Sequence, residues 1–177
     1  MIRVSRRGVI AGALAVPTVA GLAHWRWRHG ERSLLLHDPA LAAGRRFAAA
    51  GLAGGAEVRA IEGDRVRLAL AALERGPALI AGVSRHADAL MIEDVAREAG
   101  YAPAAILHAR DNQCAAHDCR PGWSALGRAT GAAGAAWVEA LADYAARPGQ
   151  AAGRLASSVP ARADAGLVIG WVLARNA

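Results

Sequence analysis

The stretch Ala78-Leu79-Ile80-Ala81-Gly82-Val83 is almost wholly apolar and lies between the turn residues Gly76-Pro77 and the polar residue Ser84. Apolar side chains at successive positions over so short a run indicate a strand that is buried on both faces. A strand of this kind is typical of the centre of a parallel sheet covered by helices. The stretch therefore predicts the central strand of an α/β sheet.

On both sides of this stretch, short apolar segments alternate with longer segments of helical periodicity, which favours βαβ units. The predicted strands are 33–36, 57–61, 78–83, 104–108 and 166–174. The predicted helices run from Pro39 to the glycines at 51, 54 and 55, from Asp64 to Arg75, from Arg85 to Ala99 and from Trp123 to Arg147. We therefore expect residues 33–177 to form one α/β domain. It should be a three-layer sandwich with a mostly parallel five-stranded sheet, which resembles the flavodoxin-like and Rossmann-like folds.

The helical segments carry predictions about their ends and their buried faces. Asp38 and Asp64 stand where the first two helices begin, so both are predicted N-caps. The predicted inward positions are Val66, Leu70 and Leu73 in the second helix and Ala87, Leu90, Met91, Ile92 and Val95 in the third. The aromatic residues Phe47, Trp123 and Trp137 are predicted to be core.

Polar residues follow three of the predicted strands, at the edge where ligands bind in such sheets. They are His37 and Asp38 after the first strand, Ser84, Arg85 and His86 after the third, and His108, Arg110, Asp111 and Asn112 after the fourth. In the common strand order 2-1-3-4-5 a crevice opens between the first and third strands. We expect these segments to converge there.

Two kinds of chemistry fit that edge. Ser84 at a helix N-cap with Arg85 in the first turn is a possible anion site, and the ligand-binding candidates are Ser84, Arg85, His108, Arg110 and Asn112. The catalytic candidates are His37, Asp38, Ser84 and His86, as in a Ser/His/Asp hydrolase. Ser84 does not stand in a Gly-x-Ser-x-Gly elbow, and Ser is also a common purely structural N-cap. No His-x-x-x-His pair or Gly-x-Gly-x-x-Gly motif occurs, so neither a metal nor a cofactor is predicted.

The chain has two cysteines, Cys114 and Cys119, in one predicted loop. In an oxidising compartment they predict a disulfide that stiffens the loop. Metal ligation through His117 is the alternative. The spacing matches neither a Cys-x-x-Cys redox turn nor a haem-attachment motif.

The N-terminal residues have the pattern of a targeting signal. Ser5-Arg6-Arg7 leads directly into an apolar stretch of mainly Ala, Gly and Val that ends in the small-x-small pattern Gly21-Leu22-Ala23. This resembles the signal peptide of the twin-arginine (Tat) export pathway. The resemblance implies a signal peptide over 1–23, the twin-arginine export machinery as partner, and the periplasm as destination. An uncleaved anchor in the inner membrane is the alternative.

Residues 24–32 then form either a flexible tether near the membrane interface or a partly disordered mature N-terminus, so membrane contact is expected through the N-terminal segment only. Removing the three arginines of the leader lowers the formal net charge from +6 to +3. The remaining arginines are scattered among carboxylates, and nucleic acid is therefore not an expected partner.

Three functions remain open for an exported domain of this kind. The first is non-catalytic binding of a small anionic ligand or a partner protein, which the lack of a complete catalytic signature favours. The second is a small periplasmic enzyme, such as a hydrolase, with its site at the carboxyl ends of the strands. The third is an accessory subunit of a co-exported oxidoreductase, because the Tat route carries folded proteins.

Overall fold

Six strands in one sheet, with helices on both faces, make up the part of the chain that the computed structural model describes, residues 32–111, 113–147 and 163–176. The strands are β1 Ser33–His37, β2 Glu57–Ala60, β3 Leu79–Ser84, β4 Tyr101–Arg110, β5 Gln113–Cys119 and β6 Val168–Arg175. The helices are α1 Ala42–Ala53, α2 Arg65–Leu73, α3 His86–Glu98, α4 Ser124–Ala132 and α5 Trp137–Ala146, with a 3₁₀ turn at Gly134–Ala136. The predicted α/β class is confirmed. The leader, residues 24–31 of the tether and Asn112 lie outside the described residues.

The sheet has the order β2-β1-β3-β6-β4-β5 and is mixed. β1 pairs in parallel with β2 and β3, as expected for βαβ units. β6 is antiparallel to both β3 and β4, and β5 is antiparallel to β4. The prediction of a mostly parallel sheet with five strands was therefore wrong. The central stretch was read correctly, because every residue of β3 is buried between its two neighbours.

The reversed direction of β6 follows from where the chain lies before it begins. α5 ends at Ala146, beside Gly54 at the edge where β1 starts. Asp164 lies at the opposite edge, against the first turn of α1. A parallel strand would have to enter the sheet at the first of these edges. Because the chain has crossed to the second, β6 runs back antiparallel between β3 and β4.

β4 and β5 form a hairpin where a loop was predicted. Arg110 pairs with Gln113, and the turn passes through Asp111, whose φ of 51° is left-handed. Aspartate tolerates this conformation better than most residues, which makes it a common hairpin-turn residue. The segment that carries the two cysteines is therefore a strand.

Two hydrophobic cores lie on opposite faces of the sheet and make the domain three-layered. The first core packs α1, α4 and α5 on the sheet and contains Phe47, Trp123 and Trp137, as predicted. The second packs α2 and α3 on the other face and contains Ile92 and Trp171. Gly82 is the cross-strand partner of Trp171, and a Cβ on it would lie 2.1 Å from the indole.

The predicted inward faces of α2 and α3 were largely wrong. Four of the large apolar side chains expected inside are exposed: Val66, Leu70, Leu90 and Met91. The buried positions are mainly alanines: Ala69 and Ala72 in α2, and Ala89 and Ala96 beside Ile92 in α3. Small side chains let these helices approach the sheet and each other closely. The larger residues consequently lie on the outer surface.

The helix starts show one confirmed cap and one corrected cap. Asp64 accepts hydrogen bonds from the backbone N–H groups of Val66 and Arg67 and so caps α2, as predicted. Asp38 does not cap α1, whose N-cap position is Leu41. The first turn of α1 is capped instead by Asp164, whose two carboxylate oxygens accept from Ala42 N at 2.6 Å and Ala43 N at 2.8 Å.

Candidate functional site

The predicted site residues that the structure describes lie at one edge of the sheet, the carboxyl edge, where β1, β3 and β4 end. β3 and β4 are both antiparallel to β6, so they share the direction of β1. Ser84 is paired with Ile169 of β6, which is in turn paired with His108 of β4. Two strand spacings, roughly 10 Å, therefore separate the backbones of Ser84 and His108. The predicted residues share an edge without forming one cluster.

Asp38 is buried and His37 is half-buried at the end of β1. His37 Nδ1 has no hydrogen-bond partner among the described residues. Burial lowers the pKa of this imidazole, although Asp38 and Glu62 act in the other direction. Asp38 Oδ1 accepts from Ala40 N at 2.9 Å, and its Oδ2 lies 4.0 Å from Arg85 Nε. Asp38 thus orders the turn that leads into α1.

Ser84 is fully buried, and its hydroxyl has two partners inside the core. It donates to the carbonyl of Arg85 at 3.0 Å and accepts from Trp171 Nε1 at 3.0 Å. A nucleophilic serine needs a base that takes its proton, whereas this proton is held by a main-chain carbonyl. The predicted N-cap role of Ser84 was wrong, because Arg85 occupies the N-cap position of α3 without a side-chain cap bond.

Apart from the contacts of Arg85 with Asp38 and Ser84, the other predicted residues lie nearer the surface. Arg85, His86 and Arg110 are exposed, and His108 is half-buried on β4. His86 borders an apolar depression, beside Trp171, of only about 30 Å³. That volume corresponds to about one water molecule in the liquid. The carboxyl edge therefore brings the candidates close to one another without giving them a deep pocket.

The predicted disulfide was wrong, because Cys114 and Cys119 are both free. They lie at opposite ends of β5, and five residues of extended strand span roughly 16 Å. Disulfides require Cα atoms within about 7 Å. Both side chains pack against the core under α4, and burial raises the pKa of Cys114 to about 11 and also raises that of Cys119. Both thiols are protonated at neutral pH and therefore poor nucleophiles.

A much larger cavity opens at the other edge of the sheet, the amino edge, where β1 and β2 begin. Its volume is about 320 Å³, within the range of small-molecule sites. Its polar lining consists chiefly of Arg32, Arg59, Arg75 and Glu57. Its apolar lining includes Leu34, which belongs to β1, and Pro77, which lies just before β3. We call this space the arginine cavity.

Among the described residues, Glu57 is the single acidic side chain that lines the arginine cavity, and it contacts two of the arginines. Its Oε1 accepts from Arg59 Nε at 3.0 Å and Nη2 at 2.6 Å, and from Arg75 Nη1 at 3.2 Å. These hydrogen bonds, from Arg59 first, hold the pKa of Glu57 below its ordinary value. Within the described residues no carboxylate pairs with Arg32. The lining therefore carries three guanidinium charges against one carboxylate.

The arginine cavity was missed at the sequence level because the predicted site was sought at the carboxyl edge. Two signals were present in the sequence: Glu57 and Arg59 share one face of an edge strand, and Arg75 lies just beyond the end of a helix. What brings Arg32 beside them is the pairing of β1 with β2, which only the fold supplies. Comparisons with protein-family models, curated proteins and solved structures found no match to this chain.

Proposed function

We propose that this chain is an exported α/β domain that binds a small anionic ligand in the arginine cavity and does not itself catalyse a reaction. The observation that carries this proposal is a cavity of about 320 Å³ lined by three arginines and one glutamate. Guanidinium groups bind carboxylates and phosphates through paired N–H donors. Apolar lining beside them gives room for the body of a small organic acid.

Catalysis receives less support than binding. The hydrolase alternative needs Ser84 to be reachable and to contact a base. Its side chain is fully buried, and its two hydrogen bonds go to Trp171 and a backbone carbonyl. Among the described residues of the carboxyl edge, Ser84 therefore lacks the base contact that an acyl-transfer site requires.

Binding of a partner protein is a second candidate, and a specific surface favours it. Val66, Leu70, Leu90 and Met91 are exposed on the α2–α3 layer, and Val66 and Met91 line one surface depression. Exposed apolar side chains that lie together commonly mark interaction sites. An accessory subunit of a co-exported oxidoreductase would use such a surface. Native mass spectrometry of the protein from its envelope fraction distinguishes the two, because a ligand and a subunit add very different masses.

Export is the part of the proposal that rests on the sequence of the leader. Charge-preserving replacement of the pair, Arg6→Lys with Arg7→Lys, is expected to hold the protein in the cytoplasm. Arg3→Lys, outside the pair, serves as the matched control. Cell fractionation followed by mass measurement also reports whether 1–23 is removed or retained as an anchor. Within the described residues no helix is long and apolar enough to cross a bilayer. Recovery of the double variant in the periplasm would contradict the twin-arginine assignment.

Anion binding is tested by isothermal titration at matched ionic strength. The probes are inorganic phosphate, sulfate, acetate and succinate, with glycerol as the neutral reference. Arg75→Gln removes a cavity guanidinium and is expected to weaken binding about tenfold, the value of one good charged hydrogen bond. Arg67→Gln is the matched control, because Arg67 is exposed on α2 and does not line the cavity.

Two outcomes would contradict the proposed function. One is that none of these anions binds to the wild-type protein. The other is that Arg75→Gln lowers the melting temperature while leaving every anion affinity unchanged. In that case the arginines only balance the partial negative charges at the C-terminal ends of α1, α2 and α5, which meet at the amino edge.

A further inference from the structure

Glu57 occupies the part of Arg59 that an anionic ligand would use. Both donors on one side of the guanidinium, Nε and Nη2, point to Glu57 Oε1, at 3.0 and 2.6 Å. The same oxygen also accepts from Arg75 Nη1 at 3.2 Å. Planar oxyanions bind arginine through this paired-donor side. A ligand can therefore reach it only if the Glu57 carboxylate leaves.

The position of Glu57 keeps the free-energy cost of that movement low. Its side chain is 42% exposed, and it is the first residue of β2, an edge strand of the sheet. Exposed ion pairs of this kind contribute little free energy, commonly about 0.2–1 kcal/mol. The carboxylate can turn into solvent while the arginines stay in the cavity wall.

A ligand with a single carboxylate gains nothing by replacing Glu57. The Arg59 and Arg75 pair already has a carboxylate, and that carboxylate is tethered two residues away on the same strand face. A net gain in binding free energy requires a second acidic group on the ligand. Arg32 lines the same cavity from the start of β1, and within the described part of the chain no carboxylate pairs with it.

We propose that Glu57 is an internal competitor that fills the oxyanion subsite of the arginine cavity, and that the ligand is a short molecule with two acidic groups. One group displaces Glu57 from Arg59 and Arg75, and the other binds Arg32. The apolar middle of the ligand lies along Leu34 and Pro77. This inference rests on the proposed anion-binding function and adds to it the class of ligand and the residue that selects it.

The test compares succinate with butyrate, an acid of equal chain length with one carboxylate, by isothermal titration at matched ionic strength. Wild-type protein is expected to bind succinate and to bind butyrate much more weakly. Glu57→Gln removes the competing charge, so it is expected to bind succinate about two- to fivefold more tightly, the equivalent of an exposed ion pair. The same substitution should also reduce the ratio of the butyrate dissociation constant to the succinate dissociation constant.

Two controls separate the possible failures. Glu62→Gln makes the same charge change at an exposed residue just beyond the other end of β2 and should leave both affinities unchanged. Glu57→Ala repeats the test with a different side chain, and melting curves confirm that each variant is folded. If Glu57→Gln and Glu57→Ala leave succinate binding unchanged or weaken it, Glu57 is not a competitor, while the binding function stands. If wild-type protein and both Glu57 variants bind no anion, both proposals fail.

Discussion

The carboxylate of Asp164 holds the start of α1, and its removal should cost a defined amount of stability. It accepts from Ala42 N at 2.6 Å and Ala43 N at 2.8 Å, so Asp164→Ala leaves two backbone donors without this partner. Loss of a capping side chain costs about 0.5–2 kcal/mol, and loss of a negative charge at a helix N-terminus costs about 0.3–1 kcal/mol. We expect a decrease of about 2 kcal/mol in the free energy of unfolding. In a domain of this size that corresponds to a melting temperature lower by about 4–8 °C.

Urea denaturation and native-state hydrogen exchange measure this effect. Asp164→Asn keeps one oxygen acceptor and should lose about half as much free energy. Asp94→Ala is the control, because that carboxylate is 76% exposed and pairs only with Arg97 on the surface. In Asp164→Ala the amide protons of Ala42 and Ala43 should exchange faster than in the wild-type protein, and this acceleration should exceed that of the amides in the middle of α1. The reasoning is refuted if Asp164→Ala and Asp94→Ala lose equally little stability and leave the exchange of those two amides unchanged.

Three further predictions concern single residues. Gly82→Ala places a Cβ at 2.1 Å from the Trp171 indole and should lower the free energy of unfolding by at least about 2 kcal/mol, measured by urea denaturation. The control is Gly131→Ala, whose Cβ meets nothing within 4 Å and which should be neutral or stabilising. Equal effects of the two substitutions would contradict this packing. The buried Tyr144 hydroxyl has no partner among the described residues, so Tyr144→Phe should raise the free energy of unfolding by about 1 kcal/mol, and a loss would show that the hydroxyl is satisfied. Burial lowers the pKa of His37 below 6.5, so the unfolded chain binds the extra proton and stability should fall as the pH drops below about 6.5. His37→Gln should flatten that part of the pH profile, and an unchanged profile would contradict the assignment.

The central strand and the first half of the sheet could be predicted because their signals are local. An uninterrupted apolar run such as that of β3 is compatible with few positions other than the middle of a sheet. Asp64 before an apolar helical pattern is equally local, and its capping role was confirmed. The direction of β6 could not be predicted in this way. It depends on the path of the chain between Ala146 and Asp164, and no residue pattern within β6 itself distinguishes a parallel from an antiparallel neighbour.

The predictions for the helix faces and for the cysteine loop were wrong for a different reason. In a chain this rich in alanine, the buried stripe of a helix can consist of Ala69 and Ala72 while Leu70 points outward. A prediction that follows the largest side chains then selects the wrong face. For the cysteines, the expectation of an oxidising compartment outweighed the turn signal of Asp111, which marks the hairpin. At the candidate site, the described candidates share the carboxyl edge, but the rule that ligands bind at this edge drew attention away from the arginine cavity.

The position of β6 has a consequence for the order in which this protein can be made and folded. Within the described part of the chain β6 follows the other five strands, yet it lies in the interior of the sheet and joins the β1–β3 half to the β4–β5 hairpin. A ribosome must therefore synthesise residues through Arg175 before the two halves can be joined by their backbone hydrogen bonds. Contacts between such distant parts of a chain form slowly, and until they form both halves expose unpaired strand edges. The sheet can therefore be completed only once Arg175 has been synthesised, and the proposed twin-arginine leader would suit such a domain because that route carries folded proteins.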